Sequence, residues 1–253
     1  MSAELKASRQ DANLILTLSN PGVQNALEAD MIAAALETLS TAERDSSIRC
    51  VILTGTDKYF CASANVYRRL ESRAQERSEQ VEFIDMLHNL IEVIRAFPKP
   101  VIAAVEGGAS GSGLSLMLAC DLIVAGASSV FSMSGVQSGR IPDGGTSWFL
   151  THALPRQLAN EIMLEGKAIS AARLHQAGII NRLASDHRVL DAALAWADEL
   201  AALDPDTLEQ VKFLLHEAGQ NTLPQQLKAE RQAFIEVLHQ PGKANNWSNK
   251  AQE

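Results

Sequence analysis

FPKPVIAAVEGGASGSGLSLMLACDLIVAGASSVF, residues 97–131, carries the reading of the fold. Pro98 and Pro100 stop whatever precedes them. Val101 to Val105 is a short unbroken apolar run, the pattern of a strand covered on both faces. Gly107, Gly108, Gly111 and Gly113 then make a turn, LSLMLACD (114–121) continues as a helix, and LIVAGA (122–127) is strand again. Strand, glycine turn, helix and strand in so short a span predict parallel pairing in an α/β fold.

The flanking segments extend the same alternation. ELKASRQ (4–10) and LILTLSNP (14–21) read as two strands joined by the turn DAN. Residues 26–45 place Leu27, Met31, Ala34, Ala35 and Leu39 at helical spacing, and RCVILTG (49–55) is a buried strand ended by glycine. The order is therefore ββαβ. A loop, TDKYFCASANV (56–66), follows, then a polar segment, YRRLESRAQERSEQ (67–80), expected as a mobile helix or loop. VEFIDMLHNLIEVIRAF (81–97) is a helix leading into the quoted stretch. From Pro155 the chain is helical apart from a short strand in IINRLA (179–184), and its last helices are amphipathic.

Composition removes several classes of function. A net charge of −8 with no Lys/Arg cluster disfavours nucleic acid as a partner. Cys50, Cys61 and Cys120 show no disulfide framework, which suits a reducing compartment, and no Cys/His spacing suggests a metal site. MSAELKASRQD is too polar for a signal peptide. The most apolar run, LSLMLACDLIVAGA, is broken by Asp121 and too short to span a bilayer. The expectation is a cytoplasmic protein with no membrane partner.

Two loops stand out chemically. CASANV (61–66) follows a strand, and its small residues allow close backbone approach. The glycine turn at 107–113 opens a helix, whose N-terminal N–H groups and partial positive charge suit an anion or a carbonyl oxygen becoming one. It is no P-loop, since no GKS or GKT follows, and no GxGxxG, since position 116 is not glycine. Loops that follow neighbouring strands of an α/β sheet converge, so two backbone N–H groups are expected to form an oxyanion hole. Scattered histidines, His88 among them, give no Ser-His-Asp pattern. In GVQSGRIPDGGTSW (135–148) a single carboxylate, Asp143, sits between Pro142 and two glycines. It is either turn chemistry or a catalytic acid.

In order along nearly the whole chain, SNPGVQNAL, RCVILTG followed by YFCASANV, the 97–131 block, SGRIPDGGTSWFL and GKAISAARLHQAGIINRLA resemble the motifs of the crotonase superfamily, the enoyl-CoA hydratase/isomerase family. The resemblance implies a crotonase-like ββα superhelix core over 1–195 holding a CoA thioester site, with a C-terminal helical trimerisation region over 196–253. It implies an acyl-CoA substrate, an enolate stabilised on the thioester oxygen, and no cofactor beyond the CoA moiety itself. The oxyanion donors map to the main-chain N–H groups of Ala64 and Ser112. Serine replaces a usual glycine at 63 and at 112, and Asn65 a usual aspartate. The two glutamates of the family's hydratases fall on Ser115 and Gly135, neither of which carries a carboxylate. Asp143 matches a position that related isomerases use as a proton carrier. That role would need a raised pKa, for which an apolar acyl pocket near Ile141 and Trp148 is expected. Ala26, Ala62 and Val66 match positions lining the CoA path, with Trp247 and Lys250 in the tail. Gln24 stands where a basic phosphate contact is usual, and Arg68 or Arg69 could compensate. A homotrimer or a pair of trimers is implied. Three readings follow: a double-bond isomerase, a hydratase or other lyase on the same fold, and a non-catalytic acyl-CoA binder.

Overall fold

The computed structural model describes residues 3–63 and 77–240, and the chain divides into two compact units, Met1–Ala201 and Ala202–Glu253. In the first unit, β1 (Glu4–Gln10) and β2 (Asn13–Ser19) form an antiparallel hairpin with Gln10 opposite Asn13. After α1 (Ala29–Arg44), β3 (Cys50–Gly55) lies parallel to β2. After α2 (Arg77–Ala96), β4 (Val101–Val105) lies parallel to β3. With β6 (Leu122–Gly126) and β9 (Arg182–Ala184) the order is β1-β2-β3-β4-β6-β9.

The central strands β3 and β4 are apolar at every position but Thr54 because both faces are covered, and the period of two divides them. Val51, Leu53, Val101, Ala103 and Val105 join Met31, Ala35 and Leu39 of α1 and Leu87, Leu90 and Ile94 of α2 in one core. Cys50, Ile52, Ile102 and Ala104 join Val189, Ala193 and Ala197 of a later helix, Val189–Ala201, in another. The expected division at 195/196 falls inside that helix, whose apolar stripe continues through Trp196, Ala197 and Leu200 against the sheet.

The glycine turn holds a strand that its composition hid. β5 (Gly108–Ser110) pairs parallel with β7 (Val130–Ser132), which pairs antiparallel with β8 (Ile169–Ser170). Gly108 has a φ of +140°, and a Cβ there would lie 1.9 Å from the Val130 carbonyl oxygen, so only glycine lets the strands meet. Next comes α3 (Ser112–Ala119), a short helix buried all round. The rest of this unit adds α4 (Thr146–Ala153), α5 (Arg156–Glu165), α6 (Ala171–Gln176) and, as α7, the helix 189–201.

The second unit is a helical hairpin. α8 (Pro205–Ala218) has Asp204 as its N-cap, accepting from the Thr207 N–H at 2.8 Å. α9 (Leu223–Leu238) opens with a capping box between Thr222 and Gln225. Gln226 Nε2 donates to the Leu214 carbonyl at 3.0 Å and ties the two helices together. Among the described residues, no helix is long and apolar enough to cross a membrane, and no three His, Cys, Asp or Glu side chains group so as to hold a metal ion.

Candidate active site

The loops after β3 and β4 converge. Cys61 bridges to Ala109, the Ser110 N–H donates to the Cys61 carbonyl at 3.0 Å, and the Phe60 N–H donates to that of Gly108 at 3.1 Å. The approach is close enough to require glycine: a Cβ on Gly113 would sit 2.2 Å from the Cys61 carbonyl oxygen. A Cβ on Gly111 would sit 2.5 Å from Ser63 Oγ. Ser63 itself has a φ of +101°, the region that favours glycine and that an L side chain occupies under strain.

A third segment braces this pair. The Ala62 N–H donates to the Gln24 carbonyl at 3.0 Å, and the Leu27 N–H to that of Ser63 at 2.8 Å. Gln24 and Asn25 both have left-handed backbones, with φ of +52° and +58°. Buried Asn25 holds the turn. Its Oδ1 accepts from the Asn20 N–H at 2.9 Å and from Thr56 Oγ1 at 2.8 Å, while its Nδ2 donates to the carbonyls of Thr56 at 2.9 Å and Tyr59 at 2.7 Å.

These loops border a solvent-open cleft of about 440 Å³ lined by Ala62, Ser63, Gly111, Ser134, Arg140 and Asp143, among others. Ser112, the first residue of α3, is fully buried, and helix geometry gives its N–H no intrahelical partner. The Leu114 and Ser115 N–H groups turn back to the Gly111 carbonyl, at 2.9 and 3.2 Å. Asp143 is held at both ends. Ser112 Oγ lies 2.9 Å from each oxygen of its carboxylate. Its carbonyl accepts from Ser115 Oγ at 2.8 Å, from Thr146 Oγ1 at 3.2 Å and from the Thr146 N–H at 3.3 Å. The Ser115 and Thr146 hydroxyls also bond to each other, so one gives its proton to the other and only one of the two donates to the carbonyl at a time.

Where hydratases of the family carry their first glutamate, Ser115 therefore anchors the Asp143 loop. A Cβ on Gly144 would lie 2.8 Å from Ser115 Cβ, so loop and helix are in direct contact. At the second glutamate position, a Cβ on Gly135 would meet Arg140 Cβ at 3.3 Å and Cδ at 3.7 Å, so the arginine stem packs over that glycine.

The expected apolar pocket is corrected. Trp148 is not among the cleft residues. It stacks on His152 with ring centroids 4.1 Å apart, meets Phe149 edge-on at 5.4 Å, and carries the Arg95 guanidinium 4.3 Å from its ring centroid. In α4 the residues that turn inward are Thr146, Phe149 and Leu150, which leaves Trp148 outward. Ile141 does line the cleft but is 82% exposed, beside Ser63, Ser110, Ser134 and Arg140. The lining is thus mixed, with Met133, Val136, Ile141 and Pro142 beside the serines, Arg140 and Asp143.

Of the residues matched to the CoA path, Ala62 lines the cleft. Ala26 is buried, with its carbonyl accepting from Asn20 Nδ2 at 3.0 Å. Ala64, Val66, Arg68, Arg69, Trp247 and Lys250, and most of the polar segment 67–80, lie outside the described residues. His88 is exposed on α2. Burial pushes the Cys61 thiol up to about 12, with the Asp143 charge acting in the same direction. Burial also raises Tyr59, opposed by its hydrogen bond to Ser110. Asn25, Thr146 and the Ser112 hydroxyl are the structural members of the site that motif reading passed over. Asn25 could have been found, since a polar residue within an apolar motif such as NAL invites a search for its partners.

With this geometry in view, residues 9–245 match the family model described as enoyl-CoA hydratase/isomerase. The chain is 32% identical over 232 residues to the 2,3-dehydroadipyl-CoA hydratase of Escherichia coli strain K12, covering 92% of this chain and 89% of that one. It is 34% identical over 219 residues to the 1,2-epoxyphenylacetyl-CoA isomerase of the same strain, covering 86% and 84%. Among solved structures, an enoyl-CoA hydratase from Polaromonas sp. JS666 superposes with a TM-score of 0.95 at 44% identity, covering 98% of this chain and 97% of that one. The chain belongs to the enoyl-CoA hydratase/isomerase family, the crotonase superfamily, and has its fold. It is an acyl-CoA-processing enzyme of that family.

Proposed function

We propose that this enzyme moves a double bond in an acyl-CoA thioester, with Asp143 as the single proton carrier. One observation carries the reading: among the described residues lining the cleft, Asp143 is the only carboxylate, while Ser115 and Gly135 fill the two glutamate positions. Hydration needs one group to activate water and another to protonate carbon. Isomerisation needs one base that takes a proton from one carbon and returns it to another, so atoms and charge balance without water. On removal of the proton, negative charge moves to the thioester oxygen. The main-chain N–H groups of Ser112 and Ala64 are assigned to hold it there. Asp143 then delivers the proton to the far carbon of the enolate, and the charge collapses into the new double bond.

The substrate is an acyl-CoA, and Ala26 and Ala62 are assigned to the CoA path. Apolar side chains exposed on α8 and α9, including Val211, Phe213, Leu215 and Phe234, support a homotrimer or a pair of trimers. Three buried free cysteines suit a cytoplasmic location. A second reading, in which Asp143 is only a turn residue and the enzyme acts on its thioester through other groups, is favoured by the hydrogen bonds to the Asp143 carbonyl, which a purely structural turn would also use.

Incubation with trans-2-, cis-3- and trans-3-enoyl-CoA in deuterated water, read by mass spectrometry, separates these readings. Isomerisation predicts migrated double bonds, and a loss of about 100-fold or more in Asp143→Asn. Net addition of water, or an active Asp143→Asn, refutes the reading. Thioester binding with no turnover of these three substrates favours the turn reading of Asp143 and a substrate outside this panel.

A further inference from the structure

The Ser112–Asp143 contact joins two groups that the proposed mechanism uses for different purposes. Ser112 contributes its main-chain N–H at the start of α3, and its side chain has no part in that task. Yet Ser112 Oγ lies 2.9 Å from both oxygens of the Asp143 carboxylate, and the residue is fully buried. The Asp143 carbonyl is separately fixed by Ser115 and Thr146. Those bonds fix the main chain and leave this short side chain its two torsions, which set where the carboxylate points. A single hydroxyl shared between both oxygens sits where it restrains that rotation.

We propose that the Ser112 side chain is a positioning residue for the base: its hydroxyl holds the Asp143 carboxylate in one orientation and in its proton-accepting, ionised form. This rests on the reading of Asp143 as base. The physical ground is that a hydroxyl donating to a carboxylate favours the charged form, as does the N-terminus of α3, so the contact works against the raised pKa expected from the sequence and trades basicity for a base that is always ionised. The hydroxyl must donate here, since an ionised carboxylate only accepts. Once Asp143 has taken a proton from substrate, the bond weakens. The same contact that keeps the base ready therefore favours returning the proton over keeping it. Of the other titratable groups around the carboxylate, Arg140 lines the same cleft, and Cys61 is held neutral by burial and does not change charge near neutral pH.

The test compares pH profiles of kcat/KM in the deuterium-exchange assay for the wild type, Ser112→Ala, Ser112→Gly, Ser112→Thr and Asp143→Asn. Alanine and glycine both keep the main-chain N–H and remove the hydroxyl, so either suffices if the other folds poorly. Their acid limb is expected to move up by about one pH unit, with kcat falling about tenfold and KM little changed. Threonine keeps the hydroxyl and should keep the wild-type limb, even where its added methyl lowers kcat. An unmoved limb in the alanine or glycine variant, with Asp143→Asn inactive, overturns the positioning role and leaves the base intact. The same holds if the threonine limb moves as far as that of alanine. An active Asp143→Asn overturns the base itself.

Discussion

Restoring both family glutamates, Ser115→Glu with Gly135→Glu, should not make this enzyme a hydratase, and the obstacle lies at position 115. Ser115 is fully buried, its Oγ bonded to the Asp143 carbonyl at 2.8 Å and to the Thr146 hydroxyl. Its Cβ lies 2.8 Å from where a Cβ of Gly144 would stand. Glutamate places its Cγ about where that Oγ is and must push a carboxylate into the loop beyond. Overpacking of this kind costs about 1–3 kcal/mol, and the lost hydrogen bond about 1 kcal/mol more. Burying a carboxylate among carbonyl oxygens adds at least about 2 kcal/mol. The sum, about 4–6 kcal/mol, lowers the melting temperature by about 10–20 °C in a chain of this size. The Gly135 change is mild by comparison, because its tightest contact, with Arg140 Cβ at 3.3 Å, needs only a small shift. Calorimetry and a hydration assay on trans-2-enoyl-CoA check this. A double variant melting within about 3 °C of the wild type and adding water would show that the loop yields freely, and the reasoning would fail.

Other expectations follow from the same contacts. Asn25→Ala leaves the Asn20 N–H, Thr56 Oγ1 and two carbonyls without their partner, so chemical denaturation should show a loss of about 3–5 kcal/mol. Because this turn braces Ala62 and Ser63, kcat should fall as well. Ser63→Gly relieves a φ of +101° and should raise stability by about 1 kcal/mol on the same measurement; a loss of stability would mean that the side chain contributes more than the strain costs. Cys61, pushed up to about 12, should resist iodoacetamide at pH 7 in the folded protein and react once the chain is unfolded in urea. Labelling of the native protein at the rate of a free thiol would contradict its burial.

Much of the fold is legible because its strands are apolar on both faces. Val101–Val105 and Cys50–Gly55 can only be interior strands, and the helices between them follow from spacing and proline stops. The small sheet β5-β7-β8 was hidden because two or three residues make each strand, and its first strand is glycine-rich for close approach, which reads locally as a turn. The site divides the same way. That the loops after β3 and β4 meet follows from parallel order alone, and the placement of Asp143 beside them follows from the motif. The partners could not be read locally. Asn25 bonds to residues 31 and 34 positions away. Ser112 bonds to one 31 positions away. Such pairings exist only once the sheet has set the distance between loops. Trp148 shows the converse error: an aromatic near a presumed acyl pocket was read by proximity in sequence, whereas the phase of α4 turns it outward.

The serines at 112 and 115 have one physical consequence between them. Both stand where the family resemblance places other residues, a glycine and a glutamate, and both direct their hydroxyls to the same aspartate, one to its carboxylate and one to its carbonyl. A carboxylate at 115 could not make the second of these bonds in its ionised form, because it would meet the Asp143 carbonyl as acceptor facing acceptor. A glycine at 112 could not make the first. The residue standing at the hydratase acid's position is therefore also one that fixes the Asp143 main chain. The loop that closes onto Ser115 is the loop that presents the remaining carboxylate to the cleft. Arg140 packs its stem over Gly135, where the second acid would be, and lines the same cleft. If Asp143 is the base proposed above, a proton it removes has no second carboxylate among the described cleft residues to receive it, and return to substrate carbon is the step the arrangement favours.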